Sequence, residues 1–308
     1  MHNRLINKRP SFVLTSALCL FESKKERLVR PVLEKKTKIY WLFILPGCLF
    51  LAVFMLIPLF SLMLTTFFDE AGDFTLSQYF SLLESTYFKQ VFERSIRLSL
   101  ISTVVCAILG FPTAYYISKY SKNKGMLMAL AVFPMFTSPV IRSFSWMVIL
   151  GKKGFVNDLL VSSGLVDKPL SLLYNEFSMV VGFIQLFLPL MILSLIGIMD
   201  NISEDLNLAA GNLGASKAST FRYVVLPLSI PGLVTGSVLV FTGCLTAYTT
   251  PQLLGGTDTR VLATMIYQQA MSLGDWTQAS VVAVVMIVVT MLVSSVINAI
   301  SRKLNPTI

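Results

Sequence analysis

Six apolar runs of about 20 residues constrain this chain more than any other feature, since about 20 residues let a helix cross roughly 30 Å of hydrocarbon with its backbone hydrogen bonds satisfied internally. They extend from Ile39 to Phe67, Ile96 to Ser118, Met126 to Leu150, Phe177 to Met199, Gly232 to Leu253 and Gln278 to Ser301. With 55% hydrophobic and 13% charged residues among 308, the chain carries more apolar surface than a water-soluble core of that length requires. The reading is an all-α polytopic membrane protein with six transmembrane helices. Pro46, Pro58, Pro112, Pro134, Pro139 and Pro189 fall inside the runs. Membrane helices tolerate proline, so these residues predict kinked or broken spans.

Orientation follows from the lysines and arginines, which are retained on the cytoplasmic side when they lie in short loops. Ten of the 25 basic residues precede Ile39. Lys119, Lys122 and Lys124, then Lys217 and Arg222, then Arg302 and Lys303 follow at alternate loops. Both termini are therefore predicted to be cytoplasmic. The net charge of +9 reports this topology and implies no nucleic-acid partner. Residues 1–38 imitate a secretory signal peptide, with Arg4, Lys8 and Arg9 ahead of an apolar stretch from Ser11 to Phe21. The dense block Lys24, Lys25, Arg27, Arg30, Lys35, Lys36 and Lys38 resists translocation, so the segment reads as an uncleaved basic cytoplasmic tail that is partly disordered or lies on anionic membrane lipid. Residues 302–308 read as a short cytoplasmic tail.

Soluble-enzyme chemistry has little to work with here. The single histidine is His2, and Cys19, Cys48, Cys106 and Cys244 form no Cys-x-x-Cys pair, which argues against a metal centre, a disulfide framework and His-based catalysis. No Gly-x-x-x-x-Gly-Lys-[Ser/Thr] occurs, and Gly211 to Lys217 does not meet that spacing. No catalytic residue, metal or cofactor is expected.

The segment from Asp200 to Pro227, between the fourth and fifth runs, is too long for a turn. Ser203 can cap a helix whose first turn holds Glu204 and Asp205, both favourable at the positive end of the dipole. Leu206, Ala209, Ala210 and Leu213 fall at i, i+3, i+4 and i+7 on one face. Gly211 and Gly214 limit that helix, and a second short helix from Ser216 to Leu226 is predicted to stop at Pro227. Small alanines on such a hairpin permit close approach of another protein.

Ala209-Ala210, Gly214-Ala215-Ser216, Phe221, Leu226-Pro227 and Pro231-Gly232 resemble the cytoplasmic loop of binding-protein-dependent ABC importer permeases. Leu208 stands where that motif usually opens with an acidic residue, and Glu204 or Asp205 can supply the missing polar contact. The resemblance covers most of the chain after Tyr40 and is closest to the spermidine/putrescine permease branch. It rests on Pro134, Ser138, Ile141-Arg142, Trp146, Leu150-Gly151, Gly154 and Asn157, and on Tyr248, Pro251, Leu253 to Gly256, Ile266, Gln269 and Asp275-Trp276. It implies residues 39–301 as the permease domain, with a coupling helix within 200–227. It also implies two ATP-binding subunits that hydrolyse ATP, a second permease subunit that is a different chain, and an extracytoplasmic solute-binding protein. The implied cargo is a polyamine; opines and phosphonates are carried in the same branch.

Candidate pathway residues are few. Arg142 lies in an apolar run, where a charge must face water, a carboxylate or carbonyls; it reads either as a solute contact or as a tie from the span to its surroundings. Trp146, four residues on, can stack on the guanidinium or anchor the interface. Thr246, Tyr248 and Thr249, beside a break expected at Pro251, can line a path with hydroxyls or bond to backbone. Gly232, Gly236 and Gly243 share one helix face, for packing within the chain or against a second subunit. The runs hold no Asp or Glu, against an ion-coupled secondary transporter. No polar cluster suggests a membrane-embedded enzyme, and only the coupling loop argues against a scaffold.

Overall fold

A computed structural model describes residues 44–68 and 73–304; the expected tail 1–38, the start of the first run and residues 305–308 lie outside the described residues. Among the described residues the chain is helical, apart from loops and an isolated antiparallel bridge between Phe68 and Phe74. In chain order the helices are α1 (Ile44–Thr65), α2 (Ser77–Glu84), α3 (Thr86–Lys119), α4 (Lys124–Phe136), α5 (Pro139–Leu150), α6 (Phe155–Ser162), α7 (Glu176–Met199), α8 (Glu204–Asn212), α9 (Lys217–Thr246), α10 (Thr249–Leu254), α11 (Leu262–Tyr267) and α12 (Trp276–Leu304).

Five of them, α1, α3, α7, α9 and α12, are long and apolar enough to cross a membrane. The third expected span is not continuous: its two parts meet at a 92° bend between Phe136 and Pro139. Pro139 lacks an N–H and biases Ser138 to extended backbone, observed at ψ 133°. Among the described residues the six expected continuous crossings thus become five membrane-length helices and one broken pair. Pro112 and Pro189, by contrast, sit inside unbroken helices.

Residues up to Leu64 form one unit and those from Thr65 a second. Within the first, α1 contains a π-turn, Ala52–Leu56, just ahead of Pro58. The wider turn makes room for the proline ring, which in a regular helix collides with the carbonyl four residues back. The same device recurs in α9, where the π-turn Phe221–Val225 precedes Pro227. Pro227 therefore does not stop a loop helix. The chain from Lys217 runs without a break to Thr246, where the helix ends at extended Ala247, ψ 127°. The expected break at Pro251 lies instead at Ala247, and Pro251 occupies the first turn of α10, where its missing N–H leaves no bond unmade.

The second unit is built around α7. Met179, Phe183, Met191, Leu195, Ile196 and Met199 are buried along it against Leu98, Cys106 and Ala114 of α3 and Val240 and Cys244 of α9. A second cluster joins Phe88 and Val91 of α3 to Phe241 and Leu245 of α9, Leu262 and Met265 of α11, and Val281 and Val282 of α12. The glycine face of α9 packs within the chain. A Cβ on Gly243 would lie 2.3 Å from Cε1 of Phe187, and one on Gly236 would lie 2.6 Å from Sδ of Met191. Ser194 Oγ donates to the Gly232 carbonyl at 2.9 Å along the same seam. At one end of α7, Glu176 Oε1 accepts from Arg94 Nε at 3.1 Å, and both carboxylate oxygens accept from Arg97 at 2.6 and 2.8 Å.

Gly243→Leu is expected to lower the unfolding midpoint of the solubilised protein by several degrees, consistent with the about 1–3 kcal/mol typical of an overpacked site. Gly197→Ala, where a Cβ meets open space, should leave it unchanged. Thermal unfolding in detergent, followed by tryptophan fluorescence, checks both.

Candidate functional site

The hairpin that follows α7 is assembled from local signals. Ser203 Oγ accepts from the Asp205 amide at 3.2 Å, and Glu204 and Asp205 fill the first turn of α8. At its other end the Gly214 amide donates to Gly211 O at 2.9 Å and the Ala215 amide to Ala210 O at 3.0 Å. This paired closure is the Schellman arrangement and needs a left-handed residue at its turn. Gly214 supplies it, with φ +83°. One residue beyond Ala215, Ser216 Oγ accepts from the Ser219 amide at 3.2 Å and starts α9.

Leu206, Leu208 and Leu213 are 45%, 66% and 89% exposed, Ala209 is exposed and Ala210 and Ala215 are half-buried. Leu206 and Leu213, seven residues apart, lie open on one face of this doubly capped helix beside Ala209, an apolar patch that another surface can cover, while Leu208 is exposed on the opposite side. The returning limb is held differently: the Phe221 ring packs edge-on against Phe111 and Tyr115 of α3, at 5.8 and 5.2 Å between centroids.

Asp200 caps the end of α7 at the base of the hairpin. Its Oδ1 accepts from Ser118 Oγ at 2.6 Å and its Oδ2 pairs with Lys124 Nζ. Lys119 Nζ donates to Ile202 O at 2.7 Å. Desolvation pushes the Asp200 carboxyl up, but the hydrogen bonds from Lys124 and Ser118 and the charges of Lys124 and Lys119 outweigh it and hold the group below the usual carboxylate range.

The candidate pathway residues divide in two. Thr246, Tyr248 and Thr249 line one cavity of about 270 Å³ together with Pro139, Leu186 and Phe187. The Thr246 hydroxyl donates to the Thr242 carbonyl at 2.8 Å, and the Tyr248 and Tyr267 rings lie 4.7 Å apart. Arg142 and Trp146 do not line that cavity. Arg142 is buried and donates to Pro134 O at 2.9 Å, latching α5 to α4 across the bend. Trp146 Nε1 donates to Gln185 Oε1 on α7 at 2.9 Å. Among the described residues the cation–π contact is between Arg222 and Tyr223, 5.9 Å from the ring centre, rather than between Arg142 and Trp146. Sequence reasoning missed Gln185 and Asp200. Buried Asn157 joins Gly151 and Leu170 through three bonds of 2.8 to 3.0 Å.

Several membrane-length apolar helices, with a capped hairpin between α7 and α9, define a multi-pass helical membrane protein. Residues 50–308 match the family model of the binding-protein-dependent transport system inner membrane component, and the chain belongs to that family. It is 29% identical over 262 residues to the spermidine/putrescine transport system permease protein PotB of Escherichia coli (strain K12), covering 83% of this chain and 95% of that protein. The PotB of Haemophilus influenzae is 30% identical over 262 residues, covering 83% and 91%. Among solved structures, a bacterial ABC transporter involved in the import of alginate superposes with a TM-score of 0.71 at 19% identity, covering 91% of this chain and 99% of that one. The bacterial alginate transporter in complex with its alginate pentasaccharide-bound periplasmic protein gives 0.73 at 20%, covering 87% and 96%. The chain is thus a multi-pass inner-membrane permease subunit of an ABC importer, a type of subunit that leaves ATP hydrolysis to another chain.

Asp200→Asn is expected to lower the thermal midpoint at neutral pH. The folded carboxyl titrates below its unfolded value of about 3.9, so its contribution is fully present above that pH and disappears as pH falls through the lower folded value. Midpoints of wild type and variant should differ at pH 7 and converge below about pH 4. An equal gap at both ends would contradict the assignment.

Proposed function

We propose that this chain forms half of the membrane pathway of a polyamine importer, for spermidine or putrescine, and that α8 is the helix through which ATP hydrolysis drives it. The observation that carries the mechanical part is α8 itself: a short helix capped at both ends, outside the apolar bundle, with Leu206, Leu208 and Leu213 uncovered. A rigid helix with an apolar face suits a groove on a nucleotide-binding subunit. Glu204, Asp205, Leu208, Ala209, Ala210, Gly214, Ala215 and Ser216 are its proposed contact and turn residues. Leu208, exposed where the motif usually has an acid, makes this docking contact apolar.

The substrate class rests on the spermidine/putrescine permeases that the chain resembles over 83% of its length. In the assembly we propose, two permease chains, this one and a different partner, stand on two ATPase copies, and a binding protein delivers cargo from outside. Both termini and the hairpin face the cytoplasm, as the basic loops require. ATP-driven closure of the ATPases moves the two coupling helices together and switches the pathway between inward and outward access. Thr246, Tyr248 and Thr249 line this chain's share of the path, with Arg142 and Trp146 holding its wall. A second reading keeps the importer and changes the cargo to another small polar solute, such as an opine or a phosphonate. It is favoured by the cavity at Thr246, whose lining is hydroxyl, aromatic and aliphatic without a carboxylate for a polycation.

ATPase activity of the complex reconstituted in lipid with its partner subunits tests both. Strong stimulation only by a binding protein loaded with spermidine or putrescine is the expected result. Stimulation indifferent to polyamines would move the cargo to the second reading, and failure to associate with any ATPase would overturn the importer mechanism. Gly214→Trp places a bulky side chain at φ +83°, where only glycine is unstrained. It should abolish import while membrane insertion stays normal, read by solute uptake and membrane fractionation.

A further inference from the structure

We propose that Asp200 is a positioning residue that carries movement of α8 to the broken span α4–α5, acting as an ion-paired tie and not as a docking contact. The inference rests on the reading of α8 as the coupling helix.

Its basis is where the bonds go. The short segment between α7 and the Ser203 cap is fastened sideways to two other elements. Ser118 and Lys119, in the last turn of α3, bind Asp200 Oδ1 and the Ile202 carbonyl, and Lys124, the first residue of α4, binds Asp200 Oδ2. Both carboxylate oxygens are engaged, and Ile202 is buried. A displacement of α8 that pulls on residues 200–203 therefore pulls on the start of α4 through this pair as well as on α7 through the backbone.

Lys124 supports the same assignment by being in an unfavourable place. A cation at the first position of a helix opposes the positive end of the dipole, and Asn123 makes no side-chain cap there. The Asp200 carboxylate compensates that charge, so the start of α4 is secured by its link to the hairpin base rather than by a cap of its own.

From Lys124 the connection continues through packed and hydrogen-bonded elements. Helix α4 reaches the 92° bend, Arg142 of α5 bonds back across it to Pro134, and α5 packs on α10. Pro139 of α5 and Thr249 and Thr250 of α10 line the cavity that also holds Thr246 and Tyr248. Hairpin base and cavity wall are thus joined by one helix, one bend and one buried guanidinium.

The test compares wild type, Asp200→Asn, Lys124→Gln and Asp200→Glu in the full reconstituted complex, measuring subunit association, ATP hydrolysis and solute uptake in the same vesicles. Asp200→Asn and Lys124→Gln should assemble and hydrolyse ATP, yet move about tenfold less solute per ATP, the size of an ordinary coupling between two sites. Asp200→Glu, which keeps the charge and reaches the flexible lysine, should recover most of the yield. Unchanged solute per ATP in both neutral variants would make the tie an ordinary surface pair and overturn the proposal. So would loss of ATPase association, which would make Asp200 part of docking. A wild-type complex that fails to couple uptake to ATP at all would instead sink the reading of α8.

Discussion

Helix α9 lies against α7 at a distance that side chains on both would forbid, and most of the second unit depends on this approach. Lipid tails are as apolar as leucine, so helices in a bilayer gain little from the hydrophobic effect when they associate; dispersion between well-fitted surfaces must serve instead. Gly232, Gly236 and Gly243 open a groove along α9 that accepts Ile198, Met191 and Phe187 of α7. With α7 seated there, its other faces receive α3 and α4. Two carboxylates, Glu176 in its first turn and Asp200 at its C-cap, gather Arg94 and Arg97 of α3 and Lys124 of α4. A helix that is apolar almost throughout is therefore also an electrostatic anchor for its neighbours, because its charges sit at its two ends.

How much of this was legible in the sequence varied with the range of the interaction that decided it. The fourth run was read almost to the residue, since Glu176 and Asp200 mark both its ends. The second was read ten positions short of Thr86, because Lys89, Glu93 and Arg94 interrupt its hydropathy while leaving its helicity intact. Their tolerance depends partly on Glu176, which is remote in sequence. Ser203 and Gly214 were legible because caps and left-handed turns are local, residue-specific chemistry. Pro227 misled because its usual effect, stopping a helix, is suspended when the turn ahead of it widens, and nothing in Phe221 to Val225 announces that.

The candidate site divides along the same line. Thr246, Tyr248 and Thr249 are neighbours in sequence and remain neighbours around the cavity. Arg142 and Trp146 were recognisable as unusual residues for a span, but their partners were not: one is a backbone carbonyl across a bend and the other a glutamine on a different helix. A buried polar group needs a partner, yet sequence cannot say which group supplies it. Asp200 escaped notice for the same reason, since its partners Ser118 and Lys124 lie at the end of α3 and the start of α4, remote from it in sequence.

The π-turn in α9 bears on how such a chain can change over time. Adding one residue to a helical turn rotates everything beyond it by about 100° while leaving the helix continuous. The hairpin-side part of α9 and the part carrying the glycine groove are thus set to different angular phases, like two keys cut on one shaft with an adjustable collar between them. Phe221 can remain turned toward Phe111 and Tyr115, and Gly232 toward α7, without one orientation dictating the other. Selection on the hairpin and selection for tight packing against α7 can then act on the same continuous helix along independent lines.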